Sequence, residues 1–477
     1  MNKTLGIACI LLTALLALVT GCSKKKSTKP EPPRYKWTIL GYFDGNNAQD
    51  QDAGGHSYVT RDLQEMEQID STEQVQVVVM LGSSKTLGSC KYYHLQRHLN
   101  EPPDSVSSEV LADLGKKDMS NPTTLRDFLD FSVQRYSAEH YMLIIDDHGA
   151  GWRGLCSDQV NGDGRWMSLP EFSSALSGFT FEIILFDAPS MALAEVAYQV
   201  KDYAEYMIAS QFKRYPDNIL AGSRWLSGLV SDPSLSPRLF ANTITDSIYQ
   251  AAKDANPSKA VESVLIHLPE IADLATAVSN LGRSLVDSTG PYWSEVWGPW
   301  DSSGHVYDYC DSSHVDLQTF ARLIQGEPHL KNSIKNSAHT VEALAGTAVL
   351  RALVYPEDSR FAGLSIHLPW NEGLFDSTNY AQLDFATTNW QSFVSTFIQT
   401  FSISFAGTLD LSSRPTGAKV YLDGVDTGDT TNVIIGGLLP GLYVLKLSRA
   451  GYPERTRNFD ILARTTTFLF VDLAHGE

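Results

Sequence analysis

Leu143-Ile144-Ile145-Asp146-Asp147-His148-Gly149-Ala150-Gly151-Trp152 and, further on, Ile184-Leu185-Phe186-Asp187-Ala188-Pro189-Ser190-Met191-Ala192 decide the fold. Each opens with an unbroken apolar run, the mark of a strand buried on both faces, and ends in small and polar residues. The first delivers a histidine into a glycine-rich loop. The second runs straight into a helix holding Glu195, Val196, Ala197 and Tyr198. In a parallel α/β sheet functional groups collect at the carboxyl ends of the strands, so these two ends are the candidate site.

Working outward, further strands are expected at Trp37 to Phe43, Val75 to Leu81, Tyr141 to Asp146, Phe181 to Phe186 and Tyr206 to Ala209. Between them Val59, Leu63, Met66 and Ile69 recur at helical spacing, as do apolar positions in Leu125 to Tyr136, Leu169 to Leu176 and Met191 to Tyr203. This alternation predicts an α/β domain with a mostly parallel sheet covered by helices on both faces. Leu239 to Ala252 and Val261 to Val286 read as helices, Ala348 to Tyr355 and Phe361 to His367 as strands, and Trp390 to Phe401 as the closing helix. Beyond Phe401 the segments are short, alternating and split by Gly, Asp and Pro. Leu422 runs into Asp423-Gly424, a hairpin-turn dipeptide. Residues 402–477 are therefore expected to form a small all-β sandwich of their own.

The other end of the chain reads as a leader. Lys3 precedes an apolar run from Leu5 to Val19, too short to span a bilayer comfortably. Leu18-Val19-Thr20-Gly21-Cys22 resembles the lipobox of bacterial lipoproteins, which implies a signal peptide over residues 1–21 and acylation of Cys22. Residues 22–34, rich in lysine and proline, would be a tether. The expected location is the bacterial cell envelope, with the membrane as a partner through the lipid at Cys22. Ser23 after the anchor gives no aspartate retention signal, which leans toward an outer membrane.

The formal charge of −18 argues against nucleic acid as a partner. The chain without its leader is too long for one hydrophobic core, so at least two domains are expected. Cys90, Cys156 and Cys310 remain after Cys9 and Cys22 are set aside, and an odd count leaves a free thiol.

The order Tyr42-Phe43-Asp44-Gly45-Asn46-Asn47, Asp62-Leu63-Gln64-Glu65-Met66, Asp147-His148-Gly149, Phe186-Asp187-Ala188, Glu195-Val196-Ala197-Tyr198, Gly363-Leu364-Ser365-Ile366 resembles the clostripain family of caspase-like cysteine peptidases. The likeness spans about residues 35–401. It implies a caspase-like fold and attack by a thiolate on a peptide carbonyl after Arg or Lys. It gives His148 the family histidine's place and Gly149 an amide of the oxyanion hole. Pro415-Thr416-Gly417-Ala418, Val420-Tyr421-Leu422-Asp423-Gly424, Pro440-Gly441-Leu442-Tyr443 and Gly451-Tyr452 resemble the PEGA domain, with Thr416 in place of its Glu. That likeness implies a binding or spacer role.

The departures weigh more than the match. After Phe-Asp-Ala the family carries its catalytic cysteine, and here Pro189 stands there. Proline has no nucleophile and no backbone N–H, so one exchange removes two catalytic parts. Ser210-Gln211-Phe212-Lys213-Arg214-Tyr215-Pro216 replaces the family's Ser-Gln-Glu and glycine-rich loop, so a preference for Arg or Lys does not carry over. Ser190 is a weak alternative nucleophile, since a shift by one position turns the side chain away. Cys156 is a second alternative against its reading as a buried apolar residue. Cys310 is taken as structural, and no site is placed on Trp293, Trp297 and Trp300.

Asn161-Gly162-Asp163-Gly164 misses a calcium-loop register and reads instead as a turn before a helix capped by Ser168 and Glu171. No cofactor or metal ligand is assigned. Calcium at Asp44, Asp50 and Asp52, as the family implies for its active members, stays open against a solvated acidic loop.

The expected function is thus a surface lipoprotein with a disarmed peptidase domain that binds peptide or protein. Two alternatives stand beside it. One is an endopeptidase using His148 with Ser190 or Cys156. The other is an envelope scaffold whose cleft is filled by side chains such as Phe212 and Tyr215.

Overall fold

The computed structural model describes residues 35–47, 50–213, 220–289, 291–307, 313–438, 441–462 and 464–474. The leader, Cys22, the tether, Cys310, Arg214, Tyr215 and Pro216 lie outside them.

Nine strands make the main sheet: β1 (Tyr35–Gly45), β2 (Val75–Ser83), β3 (Ser89–His94), β4 (Glu109–Lys116), β5 (Ala138–Asp146), β6 (Phe181–Asp187), β7 (Ala204–Ala209), β8 (Val261–His267) and β9 (Val349–Tyr355). Their order is β9-β8-β7-β6-β5-β1-β2-β3-β4. The central five, β2, β1, β5, β6 and β7, are parallel. Antiparallel strands close both edges. β1 and β2 are almost wholly buried, as their continuous apolar runs require.

Alternation along each strand sends side chains to two cores. Leu143, Ile145, Ile184 and Phe186 join one, covered by α2 (Pro122–Arg135), α3 (Leu169–Leu176), α4 (Ala194–Val200) and α7 (Ile271–Thr289). Met142, Ile144, Ile183 and Leu185 join the other, under α1 (Tyr58–Met66), α5 (Gly222–Ser231) and α6 (Pro237–Ala255). α3 opens on Ser168 with the full capping box to Glu171, as the sequence suggests.

One expectation fails. Val261 to Val286 is not a single helix: Val261–His267 is β8 and the helix begins at Ile271. The helical spacing is real only after Leu268-Pro269-Glu270, where a short 3-10 turn intervenes. The first seven residues are drawn into the sheet between β7 and β9.

The closing helix runs on to Phe405, so the β module opens at Gly407. It holds a three-stranded and a four-stranded sheet around its own core of Leu409, Leu411, Val420, Leu445, Leu447 and Val471. Asp423 and Gly424 both take positive φ, 49° and 82°, between the paired Leu422 and Val425. This is the two-residue hairpin read from the sequence.

Candidate functional site

β5 and β6 pair in register so that Asp146 lies beside Asp187, and the loops that follow meet at the rim. On the β5 side two bonds form a short ladder around the glycine: Ala150 N–H donates to Gly154 O (2.9 Å) and Cys156 N–H to His148 O (3.1 Å). Gly149 keeps its own N–H outside that ladder. On the β6 side Pro189 is half-buried, and a Cβ on Gly149 would stand 2.3 Å from the Pro189 carbonyl oxygen. Only glycine fits there. The structure therefore sets Pro189 against Gly149, the residue after His148.

Burial pushes the His148 imidazole below its ordinary pKa, so the ring is neutral near pH 7. The ring tilts against Trp166, 6.1 Å between ring centres.

Neither alternative nucleophile is presented to the rim. Ser190 takes φ 60° and is 2 % exposed, its N–H donates to Phe212 O (3.2 Å), and its Oγ is buried without a hydrogen bond among the described residues. Cys156 is fully buried, and burial together with Asp147 raises its thiol well above the usual range. A thiol held protonated is a poor nucleophile. Of the side chains that would fill the cleft, Phe212 is half-buried and packs edge-on against Phe361 at 4.8 Å. Trp297 packs on Trp300 and Phe401 at 4.3 and 4.4 Å, so that aromatic group serves packing.

The three loop aspartates weighed for calcium do not converge. Asp50 accepts from Ser57 Oγ (2.6 Å) and Val59 N–H (3.0 Å), capping α1. Asp52 Oδ1 accepts from Gly54 N–H (2.8 Å) and His56 N–H (3.0 Å). Asp44 Oδ1 accepts from Asn46 N–H (3.1 Å). These carboxylates are committed to different partners, so as a set they do not fit a calcium ion.

Sequence reasoning missed a different cluster. Asp62, Asp146 and Asp187 bring carboxylate oxygens within 4.8 Å of one another, the one such trio among the described residues. All three are at most 8 % exposed. Asp146 and Asp187 close their strands in register, and that pairing was the available signal. A second polar knot lies behind the rim. Gln211 Nε2 donates to Asp316 Oδ2 (3.0 Å) and Ser365 Oγ (2.8 Å), joining the segment after β7 to the strand Ser365–His367.

Compared with known proteins, the chain matches the description of the clostripain family over residues 44–341. The chain belongs to the clostripain family. Residues 406–477 match the PEGA domain. A curated relative, clostripain of Hathewaya histolytica, is 32 % identical over 117 residues, 21 % of this chain and 21 % of that protein. The chain thus matches about a fifth of the length of that relative. A secreted cysteine protease of Bacteroides thetaiotaomicron, solved with an irreversible peptide inhibitor, superposes with a TM-score of 0.55 at 20 % identity, covering 76 % of this chain and 99 % of that one. An inactive zymogen protease of Parabacteroides distasonis gives 0.55 at 21 % identity, with 75 % and 98 % covered. These two likenesses establish the clostripain-type fold.

Proposed function

We propose that this clostripain-family chain is a lipid-anchored envelope protein whose peptidase domain binds peptide or protein segments without cutting them. The observation that carries the reading is Pro189, seated at the end of β6 against Gly149, where the family's attacking cysteine belongs. A residue with no nucleophile and no N–H leaves the neutral His148 nothing to activate, and leaves Gly149 without a second oxyanion donor. Losing one such donor alone costs about 10²- to 10³-fold in rate. The rest of the rim supports binding. The Asp62, Asp146 and Asp187 carboxylates cluster where β5 and β6 end and give that end of the sheet a negative charge that suits a basic side chain. The hydrolytic alternative needs Ser190 or Cys156, and the reactive atoms of both are buried.

The test is turnover and binding of an arginine-containing peptide by wild type, His148→Ala and Pro189→Cys. The reading expects a silent wild type that binds the peptide, and cleavage by Pro189→Cys that His148→Ala abolishes. Cleavage by wild type that disappears with His148→Ala overturns it.

A further inference from the structure

The main sheet ends differently on its two sides. At one edge β4 is blunted: Glu109, Asp113, Gly115 and Lys116 are exposed, Gly115 takes φ 62°, and the pairing with β3 slips twice. Charges, bulges and a kinked backbone are how an edge strand turns away a further partner. At the other edge β9 reads Val349-Leu350-Arg351-Ala352-Leu353-Val354-Tyr355, with one charge and no glycine or proline. Arg351 to Tyr355 pair in unbroken register with Leu265 to Val261 of β8, and no strand lies on the outer side of β9 among the described residues. Every residue of β9 is half-buried or exposed. The sheet thus protects one edge and leaves the other open and apolar.

The open edge matches itself. Alternation puts Arg351, Leu353 and Tyr355 on one face of β9, the face that meets α6. Arg351 pairs there with Asp246 at 2.6 Å, and the Lys253 ammonium lies 4.8 Å from the Tyr355 ring centre. A second, antiparallel copy with a two-fold axis at Leu353 sets Leu353 against Leu353, Ala352 against Val354 and Arg351 against Tyr355. No like charges meet along the strands. The same axis turns the Asp246 end of α6 toward the Lys253 end of the other copy's α6, an attraction made twice by symmetry.

We infer that β9 is a homodimer seam, on which two copies of the chain join their sheets edge to edge across Leu353. The patch is self-complementary and the two-fold closes it, so association stops at two. Five paired residues a side make a small interface, and each copy carries a formal charge of −18, so the dimer is a weak one that salt favours. The inference goes beyond the proposed function and holds whether or not the cleft binds peptide.

The experiment is sedimentation equilibrium of residues 23–477, both domains included, up to about 100 µM in about 0.15 M sodium chloride, where weak dimers are populated and charges are screened beyond about 8 Å. Wild type should show a monomer–dimer equilibrium. Leu353→Lys and Leu353→Glu each set like charges against each other at the axis, and each should raise Kd about tenfold or more. An equimolar mixture of the two should restore dimers, because lysine then faces glutamate. A monomeric wild type overturns the inference, as do dimers that survive both variants and a mixture that stays monomeric. Should the Leu353 variants not fold, Lys253→Glu on the surface of α6 replaces them. It should raise Kd several-fold, and an unchanged Kd overturns the inference.

Discussion

Asp146 and Asp187 stand side by side across the β5–β6 pairing, and Asp62 from α1 completes a trio of carboxylates at that end of the sheet. Asp187→Asn removes one charge without changing shape. An arginine-containing peptide should lose about tenfold or more in affinity, in line with a charge-assisted contact of about 1.5–3 kcal/mol, while a leucine counterpart changes little. Titration of both peptides by fluorescence anisotropy checks this, and equal losses would exclude a role for the trio in recognition.

Gly149→Ala places a methyl 2.3 Å from the Pro189 carbonyl oxygen, a backbone atom that cannot swing aside. The expected cost is about 1–3 kcal/mol of overpacking, read as a lower urea midpoint. Gly228→Ala is the control: it lies inside α5 with nothing within 4 Å of the new methyl, and should stabilise by about 0.5–1 kcal/mol.

Glu262 is buried on β8, and burial lifts its carboxyl to about 8; burial lifts Asp50 to about 6. The folded state thus binds more protons than the unfolded chain between the ordinary carboxyl range and those values, so stability falls as pH rises through this window. The slope approaches about 1.4 kcal/mol per pH unit for each group that remains protonated only when folded. Glu262→Gln should flatten the profile between pH 5 and 8 in denaturant titrations at several pH values. An unchanged slope would show that Glu262 ionises freely.

Glu195 on α4 is fully buried and receives Tyr380 Oη–H (2.7 Å) and His367 N–H (3.1 Å) on one oxygen. Burial raises its carboxyl. Tyr380→Phe leaves this group with one donor fewer and should cost about 1–3 kcal/mol, visible as a lowered Tm. No change would mean that water replaces the phenol.

Residues 406–477 carry their own core, so that piece should fold alone, giving a dispersed amide spectrum and a cooperative melt. A collapsed spectrum would mean that the peptidase domain holds it together.

Much of this was legible beforehand because buried parallel strands write themselves as continuous apolar runs. β5, β6 and the positions of His148 and Pro189 followed directly. β8 was misread because Val261-Glu262-Ser263-Val264-Leu265-Ile266 joins a true helix without a glycine or a cap between them. The strands β3 and β4 escaped notice because β4, at the edge, is largely exposed and lacks a strong pattern, and the pairing between the two carries bulges. The Asp62, Asp146 and Asp187 trio depends on α1 folding back over two strand ends, a relationship with no local signature.

Pro189 lies at the rim and the two cores lie on the two faces of the sheet, so the residue that would decide cleavage belongs to neither core. Selection can therefore rewrite the chemistry of this position at small cost to folding, and a lineage can abandon hydrolysis while its recognition surface goes on evolving on an unaltered frame.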